Sequence, residues 1–363
     1  MQFTVQQIAQ SLGAEAEGIT DLAVLRAAEP KDAGPTDLAM AMAPKFAESL
    51  SAGSARAAVL WEGADWKALG LEAAIFVKRP RMAMAGVTSM LDRGQGIAKG
   101  IHPSAIIDPS AELGADVSIG PLAVIGARAK VGAGSVIGSH CVIGMDATIG
   151  ANALLREMVS IGARCQIGDR FIAQPGARIG GDGFSFVTPE VSGAENARKT
   201  LGDQGEAKAQ SWLRIHSLGA VEIGDDVEVG SNCTVDNGTI RNTVIGSGTK
   251  LDNLVHVGHN TRVGRDCLLC GQTGVSGSVE IGNNVVLGGQ TGVVDNIFIG
   301  DGVISGGGTK ILSNVPAGRV IMGYPGVKMD SHTEIYKAQR RLPRLARDIA
   351  ALKKAVFKQP PSD

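Results

Sequence analysis

Residues 245–263 read IGSGTKLDNLVHVGHNTRV, and one aliphatic side chain recurs there at every sixth position. The recurring residues are Ile245, Leu251, Val257 and Val263. An amphipathic helix would space its apolar residues three and four apart, and an ordinary strand would alternate them. A period of six is typical instead of the parallel β-helix, in which short strands stack coil upon coil around a narrow core.

The same period extends over most of the chain. It runs over 101–179, returns over 223–235, slips by four residues after Val235 and continues over 245–311, where only Ser305 departs from it. If three hexads close one turn of a triangular prism, residues eighteen apart lie above one another at the strand spacing of about 4.8 Å. The sequence therefore predicts a mainly β protein built around a parallel β-helix.

The composition fits this prism and limits the classes of function. Of 363 residues, 50 are glycine and only 4% are aromatic, which suits a core too narrow for large side chains. The net charge of −1 gives no electrostatic reason to expect a nucleic-acid partner. The N-terminal sequence has no basic segment followed by an apolar run, and nowhere do eighteen apolar residues occur together. We expect a cytoplasmic protein that is not an integral membrane protein.

Changes in periodicity divide the chain into three parts. Residues 1–98 lack the hexad and predict a small α/β domain. Residues 99–327 form the prism, with an excursion at 180–212 where the period fails, because solenoids accommodate insertions as loops on one face. Residues 328–363 have helical spacing and predict a tail, which Pro343 is expected to divide into two helices.

Four of the five cysteines are predicted to fill the core in reduced form. Cys141, Cys165, Cys233 and Cys267 fall at the inward small-residue position, four residues after an aliphatic one. Cys267 and Cys270 form a CxxC pair, but the period turns the first inward and the second outward. We therefore expect no metal there.

The segment 251–260 is the densest polar cluster of the chain. His259 is at neither inward position, so its side chain is predicted to point outward. His256 falls at the end of its hexad, near a corner, and this different position aims its imidazole away from that of His259, which disfavours a zinc site. Stacking by eighteen residues predicts Gly277 beside His259, and then Asp295. A merely solvated histidine is the alternative.

Two columns rich in glycine are predicted along a neighbouring edge. One column is Asn253, Gly271, Gly289 and Gly307, and the other is Asp252, Cys270, Gly288 and Gly306. Backbone without side chains lets an extended ligand lie close and reach amide groups. A furrow of this kind beside an outward histidine is typical of a general base at the head of a channel. Close packing of another subunit on the glycines is the alternative.

The tail is basic on a nearly neutral protein. Its nine cationic residues are Lys328, Lys337, Arg340, Arg341, Arg344, Arg347, Lys353, Lys354 and Lys358. They stand against three acids, Asp330, Glu334 and Asp348. This imbalance favours an acidic partner, such as an acidic protein or a phosphorylated ligand, while packing against sister tails remains the alternative.

Several motifs together resemble one family. IGGDGFSF (179–186), HSLGAVEIGDDVEVGSNCTVD (216–236), DNLVHVGHN (252–260) and GGQTGV (288–293), between an α/β domain and a basic tail, are similar to those of the UDP-3-O-(3-hydroxyacyl)glucosamine N-acyltransferases of lipid A biosynthesis. The hexads alone would indicate only the wider hexapeptide acyltransferase superfamily. The resemblance covers nearly the whole chain.

The resemblance implies a left-handed β-helix that assembles as a homotrimer with active sites between subunits. It implies transfer of a 3-hydroxyacyl chain from acyl carrier protein to the 2-amine of UDP-3-O-acylglucosamine, with no metal and no permanently bound cofactor. His259 would be the general base, and the Gly277 amide would contact the thioester oxyanion. The phosphopantetheine arm of the carrier would occupy the channel of Gly271, Gly289 and Gly307, and the tail would dock the carrier.

The remaining residues implied at the site bind substrate. They are Asp252, Asn253, His256, Asn260 and Asn296, with Met40, Ala43 and Phe46 in the N-terminal domain for the uridine group. Three departures from the family pattern stand out. Met40 and Ala43 replace a phenylalanine and an asparagine of the uracil pocket, while Phe46 replaces a tyrosine. Asn296 replaces a second histidine, and Lys310 occupies an apolar position of the donor channel.

Two other classes of function remain open from the sequence. The first is a coenzyme A-dependent acetyltransferase of the same superfamily that acts on another amino sugar or a small amine. The second is a non-catalytic trimeric scaffold, or a metal-dependent hydratase, on the same prism. The basic tail and the long glycine columns favour a carrier-protein donor over coenzyme A, while metal analysis and acyl-transfer assays would distinguish the second class.

Overall fold

A computed structural model describes residues 2–200, 202–206, 208–323 and 326–356. The chain forms two compact units, Met1–Gly96 and Ile97–Asp363. Each unit has a core of its own: aliphatic residues on both faces of a small sheet in the first, and the interior of the prism in the second.

The N-terminal unit is an α/β domain around a five-stranded sheet. Its elements are β1 (Phe3–Thr4), α1 (Val5–Leu12), β2 (Glu15–Gly18), β3 (Ala23–Val24), β4 (Arg26–Ala28), β5 (Asp37–Ala41), α2 (Pro44–Ala47), β6 (Ala57–Trp61), β7 (Ala73–Val77) and α3 (Pro80–Leu91), with 3-10 turns at Pro30–Asp32 and Leu50–Ala52. The sheet order is β2-β7-β6-β5-β4, and only β2 runs antiparallel to its neighbour. Helix α1 begins with a capping box between Thr4 and Gln7 and ends at Gly13, whose φ of 59° favours glycine.

The second unit is a left-handed parallel β-helix with three sheets. The strands of the first sheet are Ser118–Ile119, Val136–Ile137, Leu154–Leu155, Ile172–Ala173, Glu228–Val229, Lys250–Leu251, Leu268–Leu269, Val286–Leu287, Ile304–Ser305 and Val320–Ile321. Those of the second are Ile106–Ile107, Val124–Ile125, Val142–Ile143, Ser160–Ile161, Arg178–Gly181, Thr234–Asp236, His256–Val257, Gly274–Val275, Gly292–Val293 and Lys310–Ile311. Those of the third are Glu112–Leu113, Lys130–Val131, Thr148–Ile149, Gln166–Ile167, Val221–Ile223, Thr243–Ile245, Arg262–Val263, Glu280–Ile281 and Phe298–Ile299. The predicted fold class is confirmed.

Stacking by eighteen residues holds wherever the repeat is regular. Val257, for example, pairs with Val275, and Val275 pairs with Val293. All three side chains are buried, as the six-residue period predicted. Ser305, the one departure, is also buried, and its hydroxyl is satisfied by the N–H of Gly288 and the hydroxyl of Thr291. A polar residue is tolerated there because it is hydrogen-bonded.

The two irregularities of the repeat lie on either side of the second-sheet strand Thr234–Asp236. Before it, an arm leaves the prism between Gly181 and Val221 and contains helix α4 (Gly193–Thr200) and the antiparallel strands Phe186–Val187 and Leu213–Arg214. After it, Glu222 pairs with Val244 rather than with a residue eighteen positions on, so the predicted slip of four residues is confirmed.

The C-terminal tail is one helix, α5 (Met329–Val356), which continues through Pro343. The prediction of two helices is therefore wrong. Proline removes a single backbone hydrogen bond, and in a helix with no buried residue the carbonyl released can be solvated. Lys328 precedes the helix, and Lys358 lies outside the described residues. Among the described residues, no helix is long and apolar enough to cross a membrane.

Candidate active site

The imidazole of His259 lies between two glycines at a corner of the prism. A Cβ added to Gly277, one coil further on, would be 2.7 Å from Nε2 and from Cε1 of that ring. A Cβ added to Gly183, in the arm, would be 2.7 Å from Cβ of His259. The predicted neighbour Gly277 is therefore in contact with the ring, whereas Gly183 was not predicted. Glycine is required at both positions because the imidazole fills the space of a side chain.

The side chain of Asn260 sets the tautomer of the neutral His259 ring. Its Oδ1 accepts the N–H of Thr239 at 3.2 Å, and its Nδ2 donates to the carbonyl of Arg241 at 3.3 Å, so the amide orientation is fixed. The same Oδ1 lies 2.9 Å from Nδ1 of His259. Nδ1 must then carry the proton, which leaves the lone pair on Nε2, the nitrogen beside Gly277. Asn260, predicted to bind substrate, has its amide engaged within the protein.

The amide N–H of Gly277 is one of several free N–H groups at the corners, Gly289 and Gly307 being others among the described residues, whereas the corners of Arg265 and Asn283 pair theirs. The equivalent N–H groups of Arg265 and Asn283 donate to side chains of the next coil, Asn283 and Asp301, at 2.9 and 2.6 Å. Within the described parts of the chain, the N–H of Gly277 has no acceptor. The site therefore combines a nitrogen base with an adjacent free hydrogen-bond donor, which is the pairing that acyl transfer requires.

His256 begins a strand and is not at a corner, contrary to the prediction. Its Nδ1 lies 2.7 Å from Oγ1 of Thr234, and its Nε2 lies 3.9 Å from Oδ2 of Asp236. Burial raises the pKa of the Asp236 carboxyl above its ordinary range, although the charges of His256 and His259 lower it. Asp236 was not predicted from the sequence. Its position in the sequence could have indicated it, because Asp236 is the last residue of the regular repeat before the slip.

Asp252 and Asn253, both predicted to bind substrate, hold neighbouring coils together. The carboxylate of Asp252 accepts the N–H groups of Asn253 and Gly271 at 2.7 and 2.9 Å. Oδ1 of Asn253 accepts the N–H of Ser231 at 2.7 Å. Both side chains are exposed, so each still presents polar atoms to solvent next to the glycine column.

The glycine column forms as predicted. A Cβ on Gly289 would lie 3.3 Å from the carbonyl oxygen of Gly271, and one on Gly307 would lie 3.4 Å from that of Gly289. Lys310 lies on the adjacent second sheet, where its stem covers Gly292 and its Nζ is 3.4 Å from the carbonyl oxygen of Gln290. This sheet therefore separates the glycine column at one corner from the His259 corner at the other.

The arm extends along the His259 column. Arg198 of helix α4 pairs with Asp295 at 3.6 Å, and Nδ2 of Asn296 donates to the same carboxylate at 2.9 Å. An open cleft of ≈ 740 Å³ adjoins this corner and is lined by both polar and apolar side chains. Its lining includes Asn260, Ser278, Asn296, Ile297 and Phe298.

Known proteins share the repeat of this chain and most of its sequence. The family model described as bacterial transferase hexapeptide (six repeats) matches residues 123–157. A protein of Ruegeria pomeroyi named UDP-3-O-acylglucosamine N-acyltransferase is 80% identical over 363 residues, which cover both chains completely. This chain belongs to the UDP-3-O-acylglucosamine N-acyltransferase family. The family predicted from the sequence motifs is thereby confirmed.

Other relatives of this acyltransferase agree. A protein of Paracoccus denitrificans with the same name is 62% identical over 358 residues, covering 99% of this chain and 98% of that one. The solved structure of a UDP-N-acetylglucosamine acyltransferase from Arabidopsis is 21% identical, with a TM-score of 0.50 over 62% of this chain and 71% of that one. At that identity the likeness concerns the fold alone.

Three residues of the acyltransferase that were predicted to bind the uridine group lie in its N-terminal unit. Met40 is in β5 and is partly buried against the core, and Ala43 is the residue before α2. Phe46 is 47% exposed, and Nζ of Lys45 lies 4.8 Å from its ring centroid. The Phe46 ring is thus exposed, but the Lys45 cation already covers one of its faces.

Proposed function

We propose that this acyltransferase moves a 3-hydroxyacyl chain from acyl carrier protein to the 2-amine of UDP-3-O-acylglucosamine, a step of lipid A biosynthesis. The observation that carries the proposal is the contact of the His259 ring with Gly277. This contact puts a lone pair on Nε2 beside an N–H that lacks an acceptor among the described residues. The names of the two relatives supply the acceptor substrate.

The proposed reaction is direct transfer. The amine nitrogen of glucosamine attacks the thioester carbonyl, and the N–H of Gly277 donates to the oxygen on which negative charge develops. Nε2 of His259 accepts the proton that the nitrogen loses. When the C–S bond breaks, that proton passes to the sulfur, so the products are an amide and the free thiol of the carrier. General base assistance of this kind is typically worth about 10²–10⁴-fold in rate.

The glycine column is the proposed path of the phosphopantetheine arm. An extended chain can approach Gly271, Gly289 and Gly307 closely because no side chain intervenes. Lys310 is the exception on the adjacent sheet, and we propose that its cation limits which acyl chains are accepted. Phosphopantetheine enters as part of the donor, so the proposal includes no permanently bound cofactor.

Helix α5 is the proposed docking surface for the carrier protein. Seven of the nine cationic tail residues lie within Met329–Val356, and every residue of that helix is exposed. Exposed apolar residues recur along the same helix at Ile335, Leu342, Leu345 and Ile349. That stripe supports packing of sister tails in the proposed homotrimer, while the charges remain available to an acidic carrier.

We propose three functional divisions: residues 1–98 for uridine recognition, 99–327 for catalysis and 328–363 for carrier binding, of which 357–363 lie outside the described residues. The proposed location is the cytoplasm. All five cysteines are unpaired, which suits a reducing compartment.

The test is mass spectrometry of the products formed from UDP-3-O-acylglucosamine with a panel of acyl carrier protein thioesters and, separately, acetyl-coenzyme A. We expect amide products with the carrier thioesters and a loss of about 10²–10⁴-fold in His259→Ala, which should remain folded. His102→Ala, which removes an exposed histidine of the first coil, is the matched control. Transfer from coenzyme A alone, or a near wild-type rate in His259→Ala, would overturn the proposal.

A further inference from the structure

Asp236 carries a largely buried carboxylate beside the strand that leads to His259. It ends the strand Thr234–Asp236, which pairs with Arg178–Gly181 on one side and with His256–Val257 on the other. Its side chain is only 15% exposed. None of the cations of the prism neutralises it: within the described residues its one ion-pair partner is His256, at 3.9 Å. A largely buried carboxylate without a cation is costly, which marks Asp236 as a candidate for a functional role.

The charged groups around Asp236 come from three elements. His256 faces it from the adjacent strand at 3.9 Å, His259 follows that strand at the next corner, and Asp182 lies in the arm, where it pairs with Arg214 at 3.8 Å. Arg241, on the loop after the slip, is paired with Glu280. Burial is the largest influence on the pKa of Asp236 and raises it. The two imidazoles and the N–H of Phe184 lower it, and Asp182 raises it.

We infer that Asp236 is a positioning residue for His259: its carboxylate stabilises the imidazolium that forms when His259 takes the proton of the attacking amine. This inference rests on the proposed function. Nδ1 of His259 already bonds to Asn260, so the carboxylate acts through its charge rather than through a hydrogen bond. The carboxylate is stabilised least when both rings are neutral and most when a ring is protonated. The interaction therefore strengthens as the proton is transferred.

His256 is the second imidazole at the same carboxylate. Its Nδ1 is engaged by Thr234, and its Nε2 is directed toward Asp236 at 3.9 Å. The His256→Gln variant therefore tests whether the carboxylate acts through this ring instead of through His259.

The experiment measures kcat and kcat/KM of the full-length enzyme against pH, with the carrier thioester and UDP-3-O-acylglucosamine. For Asp236→Asn we expect kcat to fall about 10–100-fold with little change in KM for the acceptor. Without the carboxylate the imidazolium is less stable, so the acid limb of kcat/KM should move to lower pH by about one unit. Asp116→Asn, which removes an exposed carboxylate from a distant corner, should change neither.

Double mutants identify the group through which Asp236 acts. In the His259→Ala background, Asp236→Asn should cost nothing further, while in the His256→Gln background its effect should persist. An equal loss with and without His259, or an acid limb that does not move, would overturn the inference. If His259→Ala itself retains activity, it is the proposed function that fails.

A direct titration makes the test independent of turnover. The pKa of His259, followed by NMR of its ring protons, should be lower in Asp236→Asn than in the wild type. If the asparagine variant does not fold, Asp236→Ser provides the same comparison. An unchanged pKa of His259 would overturn the inference even for an enzyme whose substrates differ from those proposed.

Discussion

The imidazole of His259 occupies the space that a side chain at Gly277 would need, with Nε2 only 2.7 Å from the position of the missing Cβ. The two residues are eighteen apart, so one lap of the prism brings them together. Base and amide donor are therefore positioned by backbone stacking rather than by flexible loops, which makes their separation sensitive to any added atom.

Gly277→Ala should inactivate the enzyme while leaving it folded. The new methyl group would displace the imidazole, and a misplacement of about 1 Å at a reacting group can cost 10²-fold in rate. Steady-state kinetics would measure the loss, and circular dichroism would verify the fold. Gly326→Ala adds the same methyl group where no atom lies within 4 Å and should be neutral. Wild-type turnover in Gly277→Ala would show that the His259 imidazole does not depend on the space left by Gly277.

Asn260→Gly should lower kcat about tenfold and leave KM for the acceptor nearly unchanged, because the hydrogen bond that orients the His259 ring is lost together with the amide's bonds to Thr239 and Arg241. Glycine retains the backbone φ of 62° that the corner requires, so the change is confined to the side chain. If Asn260 instead binds substrate, KM for the acceptor should rise and kcat should remain unchanged. Kinetics with varied acceptor distinguish these outcomes.

Asp236→Asn should stabilise the protein at neutral pH, in contrast to its effect on activity. The folded-state pKa of Asp236 is raised above its unfolded value, so its contribution to folding is favourable below the unfolded pKa and is lost as the pH rises through the folded pKa. Asparagine carries no charge, so the variant does not lose this contribution to the free energy of unfolding at neutral pH. We expect Tm to rise by about 1–2 °C at pH 7 and the difference to shrink toward pH 4. A lower Tm at pH 7 would show that the carboxylate is structurally required.

Thiol labelling should distinguish the interior from the donor column. Burial raises the pKa of Cys141 and of Cys233 to about 11, so both are protonated and inaccessible in the native protein at pH 8. Cys270 is partly exposed beside the glycine column and should react first with N-ethylmaleimide. Mass spectrometry of peptides locates the label.

The same modification tests the donor path. A maleimide adduct on Cys270 should raise KM for the carrier thioester several-fold, because it places bulk beside Gly271 and Gly289. Cys270→Ala should abolish the sensitivity and serve as the control. Full activity of the labelled enzyme toward the carrier would contradict the proposed path.

The sequence by itself determined the prism, its period, the inward cysteines and the pairing of His259 with Gly277. These features are decided by a local six-residue pattern, and once the lap length is known, backbone hydrogen bonding leaves no freedom in which residues stack. The same rule correctly predicted the glycine column and the slip after Val235.

Only the tertiary structure decided what the irregular segments contribute. The arm has no period, so the contact of Gly183 with the imidazole and the pairing of Arg198 with Asp295 depend on contacts between residues far apart in sequence. The burial of Asp236 follows from the coils on both sides of its strand, and the tautomer of His259 follows from the Asn260 amide, whose orientation the loop containing Thr239 and Arg241 fixes. Periodic sequence sets where residues stack, whereas burial and side-chain hydrogen bonds arise only when the excursion and the slip pack against the prism.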